Sequence, residues 1–143
     1  MIEYTVGFLL NYNLDKVILI ERNDGPFENK INGLGGKVKE DESEDNCMVR
    51  ELQEETNGQI DTSVLADIFK VSTIVYFPDV VLHCYGMVLD RGWLWKGCTN
   101  REGEVKWYSV VDIRDVTDER FAGNGNVPYL VNEVRYTANE RRK

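Results

Sequence analysis

A chain of 143 residues with 17 Lys and Arg against 25 Asp and Glu carries a formal net charge of -8, which excludes a protein that holds nucleic acid by general attraction to its phosphates. An apolar share of 42% supports a hydrophobic core and excludes a disordered chain, and the length fits one domain over residues 1–143. The single histidine, His83, rules out sites that need two, and the three cysteines, Cys47, Cys84 and Cys98, lack CxxC spacing and fit a reducing compartment.

The N-terminal MIEYTVGFLL carries an early acid and no basic region, so no secretory signal is expected. The apolar stretches at 71–77 and 80–89 are too short for a membrane span, so the expectation is a soluble cytoplasmic protein without a membrane partner. In chain order, residues 4–10 and 16–21 read as two strands around a turn at 11–15. The Val17-Ile18-Leu19-Ile20 run has no polar alternation, as expected of a strand covered on both faces. Asp24-Gly25-Pro26 marks residues 23–30 as a loop, after which Gly33, Gly35 and Gly36 crowd together. Residues 43–56 have helix-forming composition, with Ser43 as N-cap and Asn57-Gly58 as the stop. Residues 68–77 and 80–89 read as two longer strands joined at Pro78-Asp79, and 105–111 as another short strand. The last helix is expected over 127–142, with Pro128 at its start and Arg141, Arg142 and Lys143 suited to its C-terminus. Together these predict a mixed α/β domain with a helix on each side of a sheet.

The chemistry concentrates between Gly36 and Glu55. On a helix, Glu51 and Glu55 fall about 40° apart and Glu54 about 60° to the other side, so three carboxylates share a face. Like charges at this spacing destabilise an isolated helix unless a cation sits among them. Oxygen ligands without histidine or thiolate favour a hard ion, Mg²⁺ or Mn²⁺. Val49 and Leu52 lie near the opposite side, free to pack on the sheet, and the Gly35-Gly36 pair lets the backbone approach a metal or phosphate closely.

Gly36, Glu42, Arg50, Glu51, Leu52, Glu54 and Glu55 fill seven fixed positions of the Nudix box, and the sequence resembles a Nudix hydrolase. One departure follows Glu55: the chain reads Thr56-Asn57-Gly58-Gln59-Ile60, so the glycine comes one residue late and the aliphatic residue two late. The resemblance implies a Nudix fold, a mixed β-sheet sandwiched between helices, and metal-dependent hydrolysis of a nucleoside diphosphate linked to another group. It implies that Glu51, Glu54 and Glu55 form the metal cluster, with Glu51 and Glu55 as direct ligands and the Gly35 carbonyl completing the shell. Arg50 then orients a box glutamate, and Glu42 supports the geometry between loop and helix. In MutT-type members an acidic residue precedes a Trp-containing strand. By resemblance Glu102 takes this catalytic place, with Glu104 as the alternative.

Resemblance to MutT-type enzymes also suggests the substrate. Residues 32–38, including Asn32, Gly36 and Lys37, resemble the stretch that contacts substrate in oxidised-purine triphosphatases, and Asn124 or Asn126 falls where such enzymes place an asparagine on the base. Residues 76–79 resemble their hairpin turn, and no added N-terminal region of the kind found in dinucleotide hydrolases is read. The expected activity is a Mg²⁺-dependent pyrophosphohydrolase that converts a nucleoside triphosphate, such as 8-oxo-dGTP, to the monophosphate and pyrophosphate. The expected partner is this small nucleotide and no nucleic-acid polymer, in a monomer or homodimer. The alternatives are hydrolysis of ADP-ribose or a dinucleoside polyphosphate, or a silent domain that senses a nucleotide. His83 reads as an ordinary strand residue, Cys47 as a half-buried thiol on the acidic face, and Trp93 and Trp95 as packing residues.

Overall fold

The computed structural model describes residues 1–25, 27–60, 67–91 and 97–143. Trp93 and Trp95 lie outside the described residues. The elements are β1 (Ile2–Leu10), β2 (Lys16–Arg22), β3 (Ile31–Asn32), α1 (Glu44–Glu55), β4 (Phe69–Tyr76), β5 (Val80–Val88), β6 (Cys98–Asn100), β7 (Gly103–Ser109) and α2 (Asn126–Arg141). Among the described residues the strands form one mixed sheet in the order β4-β5-β1-β2-β7-β6, with β3 paired to β2 off this path.

Alternating side chains of the central strands supply two cores. Val6, Phe8 and Leu10 of β1 and Val17 and Leu19 of β2 join Leu130, Val131 and Val134 of α2. Leu9, Ile18 and Ile20 point to the other face and meet Met48 and Leu52 of α1. This is the period-two alternation of strands with both faces covered, so β2 reads as continuously apolar. The expected helix on each side of the sheet is therefore present. Among the described residues, no helix is long and apolar enough to cross a membrane.

One expectation needs correction, and two details of the sheet go beyond the sequence. Strand β7 stops at Ser109, and residues 110–112 form a 3-10 turn that tucks Val110 into the core. The short strands β3 and β6 were not predicted, because two or three residues carry no measurable alternation. The first two strands flank the expected turn. They pair only at Leu9–Ile18 and Leu10–Val17, while β1 runs parallel to β5 from Ile2 to Val88.

Toward its N-terminus β1 meets instead the segment that leads into α1. Thr5 N–H donates to the Gly36 carbonyl at 2.8 Å and Gly7 N–H to the Leu34 carbonyl at 2.6 Å. The divergence of β1 from β2 thus admits the glycine-rich segment into the sheet. A Cβ on Gly35 would stand 2.0 Å from the Thr5 carbonyl oxygen, so only glycine permits this approach.

Candidate metal centre and nucleotide cavity

Helix α1 begins as the sequence suggests: the Ser43 hydroxyl accepts from the Asn46 N–H at 3.1 Å. Its carboxylates are less simply arranged. Val49 and Leu52 were expected opposite the acidic face, yet Glu51 and Glu55 are buried with Leu52 and Met48. Glu55 projects within about 60° of Leu52 on the helical wheel, so the face that packs on the sheet carries it inward.

Carboxylate oxygens of Glu51, Glu55 and Glu102 all lie within 4.8 Å of one another. Glu55 is 1% exposed. Its Oε1 accepts from the Gly35 N–H at 2.7 Å, and its buried Oε2 has no hydrogen-bond partner among the described residues. Burial pushes the Glu55 carboxyl up to about 9, against the opposing pull of Arg22. Burial also raises Glu51, with Arg50 opposing. A three-carboxylate group with two members buried fits a hard divalent cation, which would reward all three for ionising. A Cβ on Gly36 would meet Glu51 Oε1 at 2.4 Å, so the second glycine gives Glu51 its room.

Arg50 anchors this arrangement from outside. It donates from Nε to Glu42 Oε2 at 2.7 Å, from Nη2 to Glu42 Oε1 at 3.0 Å and to the Lys37 carbonyl at 3.2 Å, and from Nη1 to Glu51 Oε1 at 2.9 Å. The hydrogen bonds from Arg50 hold the Glu42 carboxyl down at about 2. Glu54 sits apart from the three-carboxylate group: its side chain is 54% exposed and lies 3.4 Å from Arg50. Glu104 pairs with Lys106 on β7, so of the two loop acids Glu102 is the one brought to the group.

Arg22, which the sequence reading missed, ends β2 at the same place. Its Nη2 donates to the Gly35 carbonyl at 3.1 Å and lies 3.7 Å from Glu55 Oε2, while Nη1 lies 3.8 Å from Glu102 Oε2. Its position as the last residue of an apolar strand, before a turn, was the only local signal.

A cavity of about 670 Å³ opens beside the carboxylates. Arg22, Gly35 and Gly36 line it, and so do Asn32, Asn124 and Asn126, together with the aromatic rings of Tyr4, Phe27 and Tyr76. The structure therefore brings five of the expected substrate and metal residues to one cavity. The Asn32 Oδ1 accepts from the Gly33 N–H at 2.8 Å, and the Asn126 amide donates to the Tyr76 hydroxyl. Lys37 presents its side chain to solvent and contributes its carbonyl to Arg50. Cys47 is fully buried beside Thr5, not half-buried. His83 is a strand residue as read, buried on β5 with Nε2 2.8 Å from Glu3.

Comparison with known proteins supplies the family and the fold. The chain is 34% identical over 113 residues to the mRNA-decapping protein D10 of Fowlpox virus (strain NVSL), an alignment covering 73% of this chain. The chain spans about half (48%) of that relative's length. Among solved structures, MutT from Aliivibrio salmonicida and Vibrio cholerae superposes with a TM-score of 0.65 at 21% identity, covering 91% of this chain and 94% of that one. The NUDIX domain of Shewanella oneidensis NrtR, solved with ADP ribose, gives a TM-score of 0.67 at 21% identity, covering 99% of this chain and 88% of that one. The NUDIX domain model matches residues 1–127, and with Glu51 and Glu55 of the box gathered with Glu102 at one centre, the chain belongs to the Nudix family.

Proposed function

We propose that this Nudix hydrolase converts a nucleoside triphosphate to the monophosphate and pyrophosphate, with Mg²⁺ as its metal and Mn²⁺ as a substitute. The observation that carries the reading is the shared cavity. Its lining joins the Gly35-Gly36 backbone and Arg22, which touch the carboxylate group, to the three asparagines. Its volume suits a ligand of nucleotide size. An oxidised purine such as 8-oxo-dGTP fits the asparagines, since an amide offers both a donor and an acceptor to a base edge.

Glu51, Glu55 and Glu102, with the Gly35 carbonyl, would hold the ion. When bound, Mg²⁺ supplies charge neutralisation to the phosphates and lowers the pKa of a coordinated water. Arg22 faces both the cavity and the carboxylates, so its guanidinium is placed to take up phosphate charge. Arg50 orients Glu51 through the 2.9 Å hydrogen bond. Glu102 has a side chain 40% exposed, against 0% for Glu55 and 8% for Glu51, and so is the member of the group open to a solvent water as general base. Glu54, exposed beside Arg50, is the second carboxylate placed for that role. The backbone of Gly36 and Lys37 flanks the phosphate end. We place this activity in the cytoplasm, in a monomer or homodimer.

A second reading is favoured by the fowlpox relative: cleavage within the phosphate chain that links a nucleoside to a second group, as in a dinucleoside polyphosphate or the 5′ end of a capped RNA. A panel of normal and oxidised nucleoside triphosphates, ADP-ribose, dinucleoside polyphosphates and capped RNA, each with Mg²⁺ and product identification, separates the two. Pyrophosphate released from a triphosphate supports the first. Release of a nucleoside diphosphate from a capped or dinucleoside substrate, with all triphosphates inert, overturns it.

A further inference from the structure

Glu55 and Glu102 reach the same carboxylate group from distant parts of the chain, one at the end of α1 and one in the turn between β6 and β7. Asn100, the half-buried last residue of β6, joins the two backbones. Its Nδ2 donates to the Glu55 carbonyl at 2.8 Å. Its Oδ1 accepts from the Glu102 N–H at 2.8 Å and from the Gly103 N–H at 3.1 Å. The Glu55 carbonyl belongs to the last turn of α1, where helical carbonyls lack intrahelical partners. The Asn100 amide therefore satisfies a helix end and closes the turn that carries Glu102 in one stroke. Gly103 on the far side of that turn packs so tightly that a Cβ there would meet the Glu21 carbonyl oxygen at 2.1 Å. The Glu102 carbonyl in turn accepts from the Asn23 N–H at 2.9 Å. Glu102 is thus held on both sides of its peptide, and the Asn100 amide ties that peptide to the backbone of α1, next to the Cys98 Sγ, which donates to the same Glu55 carbonyl at 3.3 Å, and apart from the side-chain bridge that Arg22 makes between the two carboxylates.

We propose that Asn100 is a positioning residue, whose amide sets the separation of the Glu55 and Glu102 carboxylates and through it the affinity of the centre for a divalent cation. The inference rests on the reading that Glu51, Glu55 and Glu102 hold the ion. An amide is required because it donates and accepts together: a carboxylate at this position accepts from the turn but cannot donate to the helix end, and an alanine does neither.

The test is titration of the nucleotide-free protein with Mn²⁺, free ion being read by electron paramagnetic resonance, for wild type, Asn100→Ala, Asn100→Asp, Glu102→Gln and the Asn100→Ala/Glu102→Gln double variant. Thermal melts confirm that each is folded. Asn100→Ala is expected to weaken Mn²⁺ binding about tenfold, the size of effect seen when an outer hydrogen-bond partner of a metal ligand is lost. Asn100→Asp is also expected to weaken it, although an added negative charge alone would tighten it. This variant keeps the acceptor for the turn and so preserves the test should the alanine variant not fold. In the Glu102→Gln background Asn100→Ala should add less than about a twofold loss, because both act through the same carboxylate. Unchanged Mn²⁺ affinity in Asn100→Ala, tighter binding in Asn100→Asp, or fully additive losses in the double variant would overturn the positioning role. Unchanged affinity in Glu102→Gln itself would instead overturn the metal assignment beneath it.

Discussion

Glu55 concentrates the energetic tension of the molecule in one side chain. It is buried, one of its oxygens lacks a hydrogen-bond partner among the described residues, and burial raises its carboxyl to about 9. The folded value lies above the ordinary 4.5, so the protonated form is favoured in the metal-free fold. Stability contributed this way is complete below about 4.5 and is lost as the pH rises through about 9. A cation must displace that proton. Mn²⁺ affinity is therefore expected to rise up to about tenfold per pH unit between pH 6 and 8, measured by titration, with the slope abolished in Glu55→Gln. A flat profile in the wild-type protein would refute the assignment of Glu55 as a ligand. The same Glu55→Gln variant should lose at least about a hundredfold in metal-dependent hydrolysis, while its metal-free melting temperature at pH 7 stays near that of the wild type, since it replaces a largely neutral acid by a neutral amide.

At the scale of elements, the loop before α1 is fastened by Glu42 and Arg50. The folded Glu42 carboxyl is held at about 2 by the hydrogen bonds from Arg50, below its ordinary 4.5. The stability that this pair adds is present above about 4.5 and is lost as the pH falls toward about 2. Thermal melts across pH 5 to 3 should fall more steeply for the wild type than for Glu42→Gln. The glycine segment between β3 and α1 gives a second expectation. In Gly36→Ala the new Cβ collides with Glu51 Oε1. Circular dichroism should report an intact fold, while metal affinity drops about tenfold because Glu51 is displaced. Helix α1 and its Ser43 cap were readable from the chain, since cap, helix-forming composition and stop all lie within fifteen or so residues. Strands β3 and β6 were not, although β6 carries Asn100 and leads to Glu102.

Over the whole molecule, a net charge of -8 makes the surface unsuited to a polyanionic ligand without a counter-ion. Binding of a non-hydrolysable nucleotide analogue to the wild-type protein, measured by calorimetry, should therefore weaken strongly when EDTA replaces Mg²⁺. Equal affinity in both conditions would show that Arg22 and the neighbouring backbone alone hold the phosphates. The cavity that would receive the nucleotide is built from β1, the β2–β3 loop, the end of β4 and the start of α2, so it exists only after the sheet has closed.

The chain by itself determined the acidic helix, its cap, the seven box positions and the expectation of a hard cation, because each depends on residues within a few turns of one another. Tertiary structure decided which acids meet. It turned Glu55 into the interior beside Leu52, left Glu54 in solvent, chose Glu102 over Glu104 and brought Arg22 to the same oxygens. These outcomes follow from the antiparallel pairing of β2 with β7, which sets Arg22 opposite Gly103, and from the insertion of the glycine segment beside β1. Pairings of that kind join residues far apart in sequence, and no local periodicity encodes them.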